Sequence, residues 1–214
     1  MLSEQVIAYC ERTDFSYWSE PVNAVTNAAF LIAAAVVWRQ TEGLALARAM
    51  AVVLAVIGLG SFLWHTHATR WAGLADVLPI LVFILLYLFA ATRDFLRLET
   101  VWAVGAVALF LPYAVGFAWT VGQVLPGLGA NAVYFSVAAL IAAYGLWLRS
   151  RRTGQGLLIG AAILCVSLGF RMADDVVCVV FPIGTHFMWH ILNAVMLGWM
   201  IHVYCRHMRE AKPR

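Results

Sequence analysis

Three histidines and an aspartate in this chain of 214 residues have types and spacing that could do metal-assisted chemistry. His186 and His190 are four residues apart, so on a helix they would project from one face about one turn apart. With His65 from another helix they would suit a three-nitrogen zinc site, whose fourth position is left for water. Bound zinc would lower the pKa of that water to about 7 and polarise a carbonyl oxygen. Asp76 is the candidate base that would take the proton.

Ser61 lies four residues before His65 and would share its helix face. Taken alone, Ser61 is typical of a helix-packing residue beside Gly58 and Gly60. The three candidate ligands also have a second interpretation, as hydrogen-bonding residues near helix ends, and spacing alone leaves both open. The hydrogen-bonding role is the one expected for the remaining histidines, which are His67, His202 and His207.

The composition indicates that the helices carrying these residues lie in a membrane. The chain is 64% hydrophobic and 12% charged, which is typical of a membrane protein and excludes a disulfide scaffold, a disordered chain and a cytosolic enzyme. The net charge of +3 is spread over short loops, so no nucleic-acid partner is expected. The only lysine is Lys212 in the tail, which excludes a retinal Schiff base within a span.

Apolar runs long enough to cross a bilayer as helices predict an all-α bundle of seven transmembrane helices. The predicted spans are Pro21–Trp38, Leu44–Trp64, Ala72–Thr92, Val101–Thr120, Ala130–Leu148, Gly156–Ala173 and Thr185–Tyr204. Residues 1–20 form a predicted extramembrane segment, residues 21–205 the seven-helix domain, and residues 206–214 a basic cytoplasmic tail. No signal peptide is expected in the first segment.

The basic residues predict the orientation of the bundle. With the N-terminus outside and the C-terminus inside, eleven of the fourteen Lys and Arg residues fall on the inner side, as the positive-inside rule favours. The candidate site then lies near the outer face of the membrane. Short loops suit a bacterial inner membrane with the site toward the periplasm, although a eukaryotic endomembrane follows the same logic.

Other polar residues within the spans are expected to be structural. Arg171 is predicted to pair with Asp174 or Asp175, because a charged group at membrane depth needs a partner. Asn23 and Asn27, one turn apart, are predicted to form hydrogen bonds between helices.

Several blocks of sequence resemble the alkaline ceramidase family. G-L-G-S-F-L-W-H, which ends at His65, and D-V-L-P, which begins at Asp76, resemble the family's G-x-G-S-x-x-x-H and D-E-x-P. H-F-M-W-H, from His186 to His190, is similar to H-x-x-x-H. The amino-terminal Y-C-E-R and S-E-P-V-N-A-V-T-N are similar to W-C-E and A-E-x-x-N-T-x-S-N. The blocks occur in the family's order.

The resemblance implies a seven-helix membrane hydrolase of the superfamily that includes adiponectin-receptor-like proteins. It implies zinc on His65, His186 and His190, with Asp76 activating water and then protonating the leaving amine. Ser61 would orient the water or stabilise the oxyanion. The implied substrate is a membrane lipid such as ceramide, cleaved at its amide into a fatty acid and a sphingoid base. The lipid bilayer is the expected environment, and no obligatory protein partner is evident.

The resemblance also implies a calcium site and a disulfide at the amino-terminal segment. Glu11 and Glu20 match acidic positions that hold calcium in the family, and Asp14 could add an oxygen. Ala8 and Thr13 replace an Asp and an Asn of the family, so the set of oxygen ligands differs from the family's. Val77 likewise replaces the second acid of the Asp-Glu pair. Cys10 and Cys178 would face an oxidising compartment and could form a disulfide.

Two other functions compete with hydrolysis. A seven-helix lipid receptor or scaffold could keep zinc for structure, but a structural zinc is more often closed by a fourth protein ligand. A b-type cytochrome would hold haem between paired histidines, whereas His186 and His190 suit one small ion better. A transporter is disfavoured, because the spans show no second buried acid aligned toward the inner face.

Overall fold

The computed structural model describes residues 1–211 and consists of helices joined by short loops. Within residues 1–211, seven helices are long and apolar enough to cross a membrane, which confirms the predicted all-helical architecture. In chain order the first to seventh spans are Pro21–Thr41, Ala45–His67, Arg70–Phe95, Thr100–Val124, Pro126–Trp147, Arg152–Val177 and His186–Glu210. The protein is therefore a multi-pass membrane protein.

Most helices continue beyond the apolar runs that predict them, because polar residues at their ends remain helical. The third span extends to Phe95 through a short π-helical turn, and the seventh continues to Glu210. Residues 206–210 thus belong to the last helix rather than to a separate tail. Residues 212–214 of the predicted tail lie outside the described part of the chain.

The second and third spans pack most closely at Gly60. A Cβ atom at this position would lie 2.0 Å from the carbonyl oxygen of Ala75, so only glycine permits this approach of the two backbones. The fourth span is the least enclosed, with Trp102, Leu109 and Trp119 each about two-thirds exposed. Such side chains suit contact with lipid rather than water.

The amino-terminal segment packs against the end of the bundle where the second span ends and the seventh begins. We call this the site end. The backbone N–H of Val6 donates to the oxygen of Ala68 at 2.8 Å, and that of Arg70 donates to the oxygen of Glu4 at 3.0 Å. A disulfide joins Cys10 to Cys178, with Cα atoms 5.4 Å apart, as the resemblance implies. The segment is thereby fixed across the site.

Candidate metal centre

Three histidine side chains from two spans meet at the site end. His65 lies in the last turn of the second span, and His186 and His190 occupy the first two turns of the seventh. Each is 1% exposed, and their ring centroids are 4.6–5.2 Å apart. One nitrogen from each ring lies within 4.8 Å of the others, so the cluster could hold a metal ion.

Hydrogen bonds on the opposite ring nitrogens orient two of these histidines. His65 Nδ1 lies 2.6 Å from Glu20 Oε2, and a carboxylate can only accept, so Nδ1 carries the proton. His190 Nδ1 lies 3.0 Å from Thr26 Oγ1, whose own proton is directed to the oxygen of Val22 at 2.8 Å. His190 Nδ1 is therefore the donor as well. Both rings present the lone pair of Nε2 to the centre of the cluster.

The histidine nitrogens that form no hydrogen bond are suited to bind a metal ion. His65 Nε2, His186 Nδ1 and His190 Nε2 are buried and have no hydrogen-bond partner among residues 1–211. Leaving a buried polar atom unpaired costs about 1–3 kcal/mol, so three such atoms in one place call for a ligand. Imidazole nitrogens bind zinc, copper, iron and nickel readily. The chemistry of this donor set fits a transition-metal ion.

Asp174 supports the beginning of the seventh span, a role that sequence reasoning missed. Its buried carboxylate accepts the backbone N–H groups of Thr185 at 2.7 Å and His186 at 2.9 Å, and also that of Cys10 at 3.0 Å. A carboxylate at this position satisfies helix donors that have no partner within the helix. Gly184, with φ of +68°, is required beside it, because a Cβ would lie 2.1 Å from Asp174 Oδ1.

The expected ion pair of Arg171 with Asp174 or Asp175 is replaced by a different set of contacts. Arg171 Nε donates to Asn131 Oδ1 at 2.9 Å, and its guanidinium lies over the rings of Tyr134 and Trp189 at 5.1 and 4.9 Å. Aromatic faces can stabilise a cation in this way. Asp174 is engaged by backbone donors instead.

The asparagines of the first span also differ from expectation. Asn27 donates to the backbone oxygen of Asn23 at 2.8 Å, and Asn23 donates to Glu20 Oε2 at 3.1 Å. Both bonds stay within the amino-terminal part of the chain rather than joining helices. Asn23 thereby supports the carboxylate that orients His65.

Ser61 and Asp76 lie next to the cluster and line a long cavity. Ser61 is one turn before His65, and the close approach at Gly60 brings it beside the start of the third span, where Asp76 lies. The cavity continues along the third span to Ala91. Apart from Ser61, Asp76 and Asn193, its lining is aliphatic or aromatic. The polar candidates therefore stand at one end of an apolar chamber.

The carboxylates predicted for calcium do not converge on a cation position. Glu11 accepts the N–H groups of Val22 and Asn23 at 2.7 and 2.8 Å and so caps the first span. Asp14 is exposed and accepts from the backbone and hydroxyl of Ser16, while Glu20 is engaged by His65 and Arg12. The described residues thus do not fit the calcium site.

Ionisation of the amino-terminal segment follows from these contacts. Burial raises the pKa of the Glu11 carboxyl, although two backbone hydrogen bonds oppose the shift. Burial would raise the pKa of Glu20 too, but the hydrogen bonds and charges of His65 and Arg12 leave it lowered. Tyr9 stacks on the His186 ring at 3.6 Å, and burial there raises the pKa of Tyr9 to about 12. Tyr9 is therefore a neutral cover over the cluster.

No family model and no curated protein matches the chain. The resemblance to alkaline ceramidases therefore stays a prediction, and function must be argued from the site.

Proposed function

We propose that the protein is an integral-membrane, zinc-dependent amide hydrolase that cleaves ceramide or a related N-acyl lipid. One observation carries this proposal: three buried histidines with unpartnered nitrogens lie beside Ser61 and Asp76, and these two residues line one end of a long apolar cavity. A metal centre alone would suit many proteins. A metal centre beside a long apolar cavity that could hold an acyl chain suits a lipid hydrolase.

The roles of the residues follow from their positions. Zinc on His65, His186 and His190 would supply a Lewis acid and lower the pKa of water. Asp76 takes a proton from the attacking water and delivers it to the amide nitrogen as the C–N bond breaks. Ser61 donates a hydrogen bond to the oxygen of the former carbonyl, where negative charge develops. The products are a fatty acid and an amine.

The cavity supports a long acyl chain as the apolar part of the substrate. From Asp76 to Ala91 the third span rises roughly 22 Å, about the length of an extended acyl chain of sixteen to eighteen carbons. Filling this chamber with methylene groups would contribute about 0.8 kcal/mol for each one buried. The amide would then lie level with Asp76, and we infer that the lipid enters sideways from the bilayer.

The location follows from the same proposal. Placing the site end outside agrees with the basic residues, and the Cys10–Cys178 disulfide persists only in an oxidising compartment. A bacterial inner membrane with the site toward the periplasm satisfies both conditions.

Asp76→Asn tests the enzymatic role directly. We expect purified wild type to hold about one zinc per chain and to hydrolyse a fluorescent N-acyl sphingoid amide. The variant should keep its zinc and lose activity by about 10²–10⁴-fold, since it lacks the base. Asp175→Asn, an exposed carboxylate of the sixth span, is the matched control and should behave as wild type.

Two results would count against the proposal. Zinc without turnover on a broad panel of amides would favour the receptor or scaffold with a structural metal. A wild type without bound metal would remove the basis of the proposal altogether.

A further inference from the structure

Arg12 is a buried cation beside the metal centre. It is 3% exposed, and its guanidinium donates to four oxygen atoms. Nε lies 2.5 Å from Glu20 Oε1, and Nη2 lies 2.8 Å from the backbone oxygen of His65. Nη1 donates to the backbone oxygens of Asp14 at 3.0 Å and Ser16 at 3.2 Å. A buried charge is tolerated when it is paired and hydrogen-bonded in this way.

The oxygens around Arg12 are the kind that a hard metal cation would take. One carboxylate and three backbone carbonyls surround the guanidinium, and calcium prefers such oxygen ligands. Here the positive charge is covalently part of the chain. These oxygens are therefore already engaged by a cation that belongs to the chain itself.

Arg12 and Glu20 together hold His65 at two points. Glu20 uses one oxygen for Arg12 and the other for His65 Nδ1, at 2.6 Å, while Arg12 holds the backbone oxygen of His65. A carboxylate on the far nitrogen of a ligating histidine fixes the ring and raises its basicity as a ligand. Arg12 fixes that carboxylate in turn. The ring of His65 therefore depends on a residue that would touch neither metal nor substrate.

We propose that Arg12 is a positioning residue of the metal centre, a built-in cation that orients His65 through Glu20 and makes a bound calcium ion unnecessary. The proposal rests only on the metal-binding part of the proposed function. The amino-terminal segment would then help to retain the metal, in addition to covering the site.

The chain contains a second arginine–glutamate pair that serves as a control. Arg70 Nη2 lies 2.9 Å from Glu4 Oε1 and also ties the amino-terminal segment to the bundle. Both of its side chains are more than half exposed, and neither contacts a histidine of the cluster. An exposed pair of this kind contributes little to stability. Arg70→Gln therefore controls for the loss of a positive charge and a salt bridge in this segment, away from His65.

Metal release under a chelator tests the proposal without any activity measurement. Zinc-loaded wild type, Arg12→Gln and Arg70→Gln are mixed with an excess of a chromogenic zinc chelator, whose colour change follows zinc release. We expect Arg12→Gln to lose zinc about 10–100-fold faster than wild type, and Arg70→Gln to match wild type. Glu20→Gln should resemble Arg12→Gln, because both variants break the chain of contacts to His65.

Arg12→Lys keeps the experiment decisive if the glutamine variant does not fold. Lysine retains the charge but not the planar fork that reaches four oxygens. Arg12→Lys should therefore release zinc faster than wild type and faster than Arg70→Lys. Where Arg12→Gln folds, the rate for Arg12→Lys should fall between those of wild type and Arg12→Gln. Equal release rates for the Arg12 and Arg70 variants would overturn the proposal.

The calcium arm uses the ion itself. Wild type equilibrated with calcium should retain none after desalting, and added calcium should leave the rate of zinc release unchanged. One calcium bound per chain with Arg12 intact would overturn the proposal while leaving the amidase standing. A wild type that binds no zinc would instead overturn both.

Discussion

Buried histidines occur at both ends of the bundle, but the two ends differ in whether every ring nitrogen has a hydrogen-bond partner. At the end opposite the site, which we call the far end, His207 has partners for both ring nitrogens: Thr153 Oγ1 at 2.8 Å and the backbone oxygen of Asp94 at 3.2 Å. At the site end, each of the three histidines has a buried nitrogen without a partner in the described chain. Hydrogen bonding, rather than burial, distinguishes a structural histidine from a candidate ligand.

The aspartates of the two ends differ in the same way. Asp94 at the far end is bound by Arg93 Nε at 2.8 Å and by the Tyr204 hydroxyl at 2.7 Å. Asp76 at the site end lines the cavity instead. A carboxylate saturated by its neighbours can only stabilise the fold, whereas one that lines a cavity can exchange a proton with a bound molecule.

Removing one histidine from each end gives the largest expected difference. His190→Ala should reduce bound zinc from about one per chain to a trace and abolish amide hydrolysis, because two nitrogens no longer form a tight site. His207→Ala should keep the metal and lower the free energy of unfolding by about 1–3 kcal/mol, since it leaves Thr153 unpaired. Metal analysis and thermal unfolding of both variants measure this. Equal loss of metal from both would break the comparison.

The threonines behind these histidines give a finer test. Thr26→Val removes the partner of His190 Nδ1 and should weaken zinc binding by about 10–100-fold. Thr153→Val removes the corresponding partner of His207 Nδ1 and should cost about 1–3 kcal/mol of stability while zinc affinity is unchanged. Competition with a chelator of known affinity measures the first effect. If Thr153→Val weakens zinc binding as much, the two ends are not independent.

The sequence predicts the spans and the candidate ligands because both depend on local patterns. Runs of about 20 apolar residues are what a hydrocarbon layer requires of a helix, and all seven appear in the structure. The i, i+4 spacing places His186 and His190 on one face whatever surrounds them. The helix ends are less predictable, because polar residues such as Arg93 and Asp94 can continue a helix beyond its apolar part.

The partners of the ligands could not be predicted, because they come from distant parts of the chain. Glu20 is 45 residues from His65, and Thr26 is 164 residues from His190. From the sequence alone, Arg12 is one of several charged residues in a segment that is expected to be exposed. The fold places it against the backbone of His65. Arg171 lies three residues before Asp174, and from the sequence alone this helical spacing predicts an ion pair between them. Only the fold shows that backbone N–H groups occupy the Asp174 carboxylate.

The cavity runs from the site end toward the far end, and its far limit gives the smallest predicted effect. Ala91→Leu adds bulk where the chamber ends beside Tyr144, so the last two or three methylenes of a long acyl chain lose their place. At about 0.8 kcal/mol for each methylene, kcat/KM for long-chain amides should fall about 15–60-fold, while amides shorter by about four carbons are unaffected. Ala108→Leu, on the exposed face of the fourth span, is the matched control. Zinc content should stay at the wild-type level in both, because the substitution is roughly 22 Å along the third span from Asp76. A uniform loss across all chain lengths would mean that the chamber does not hold the acyl chain.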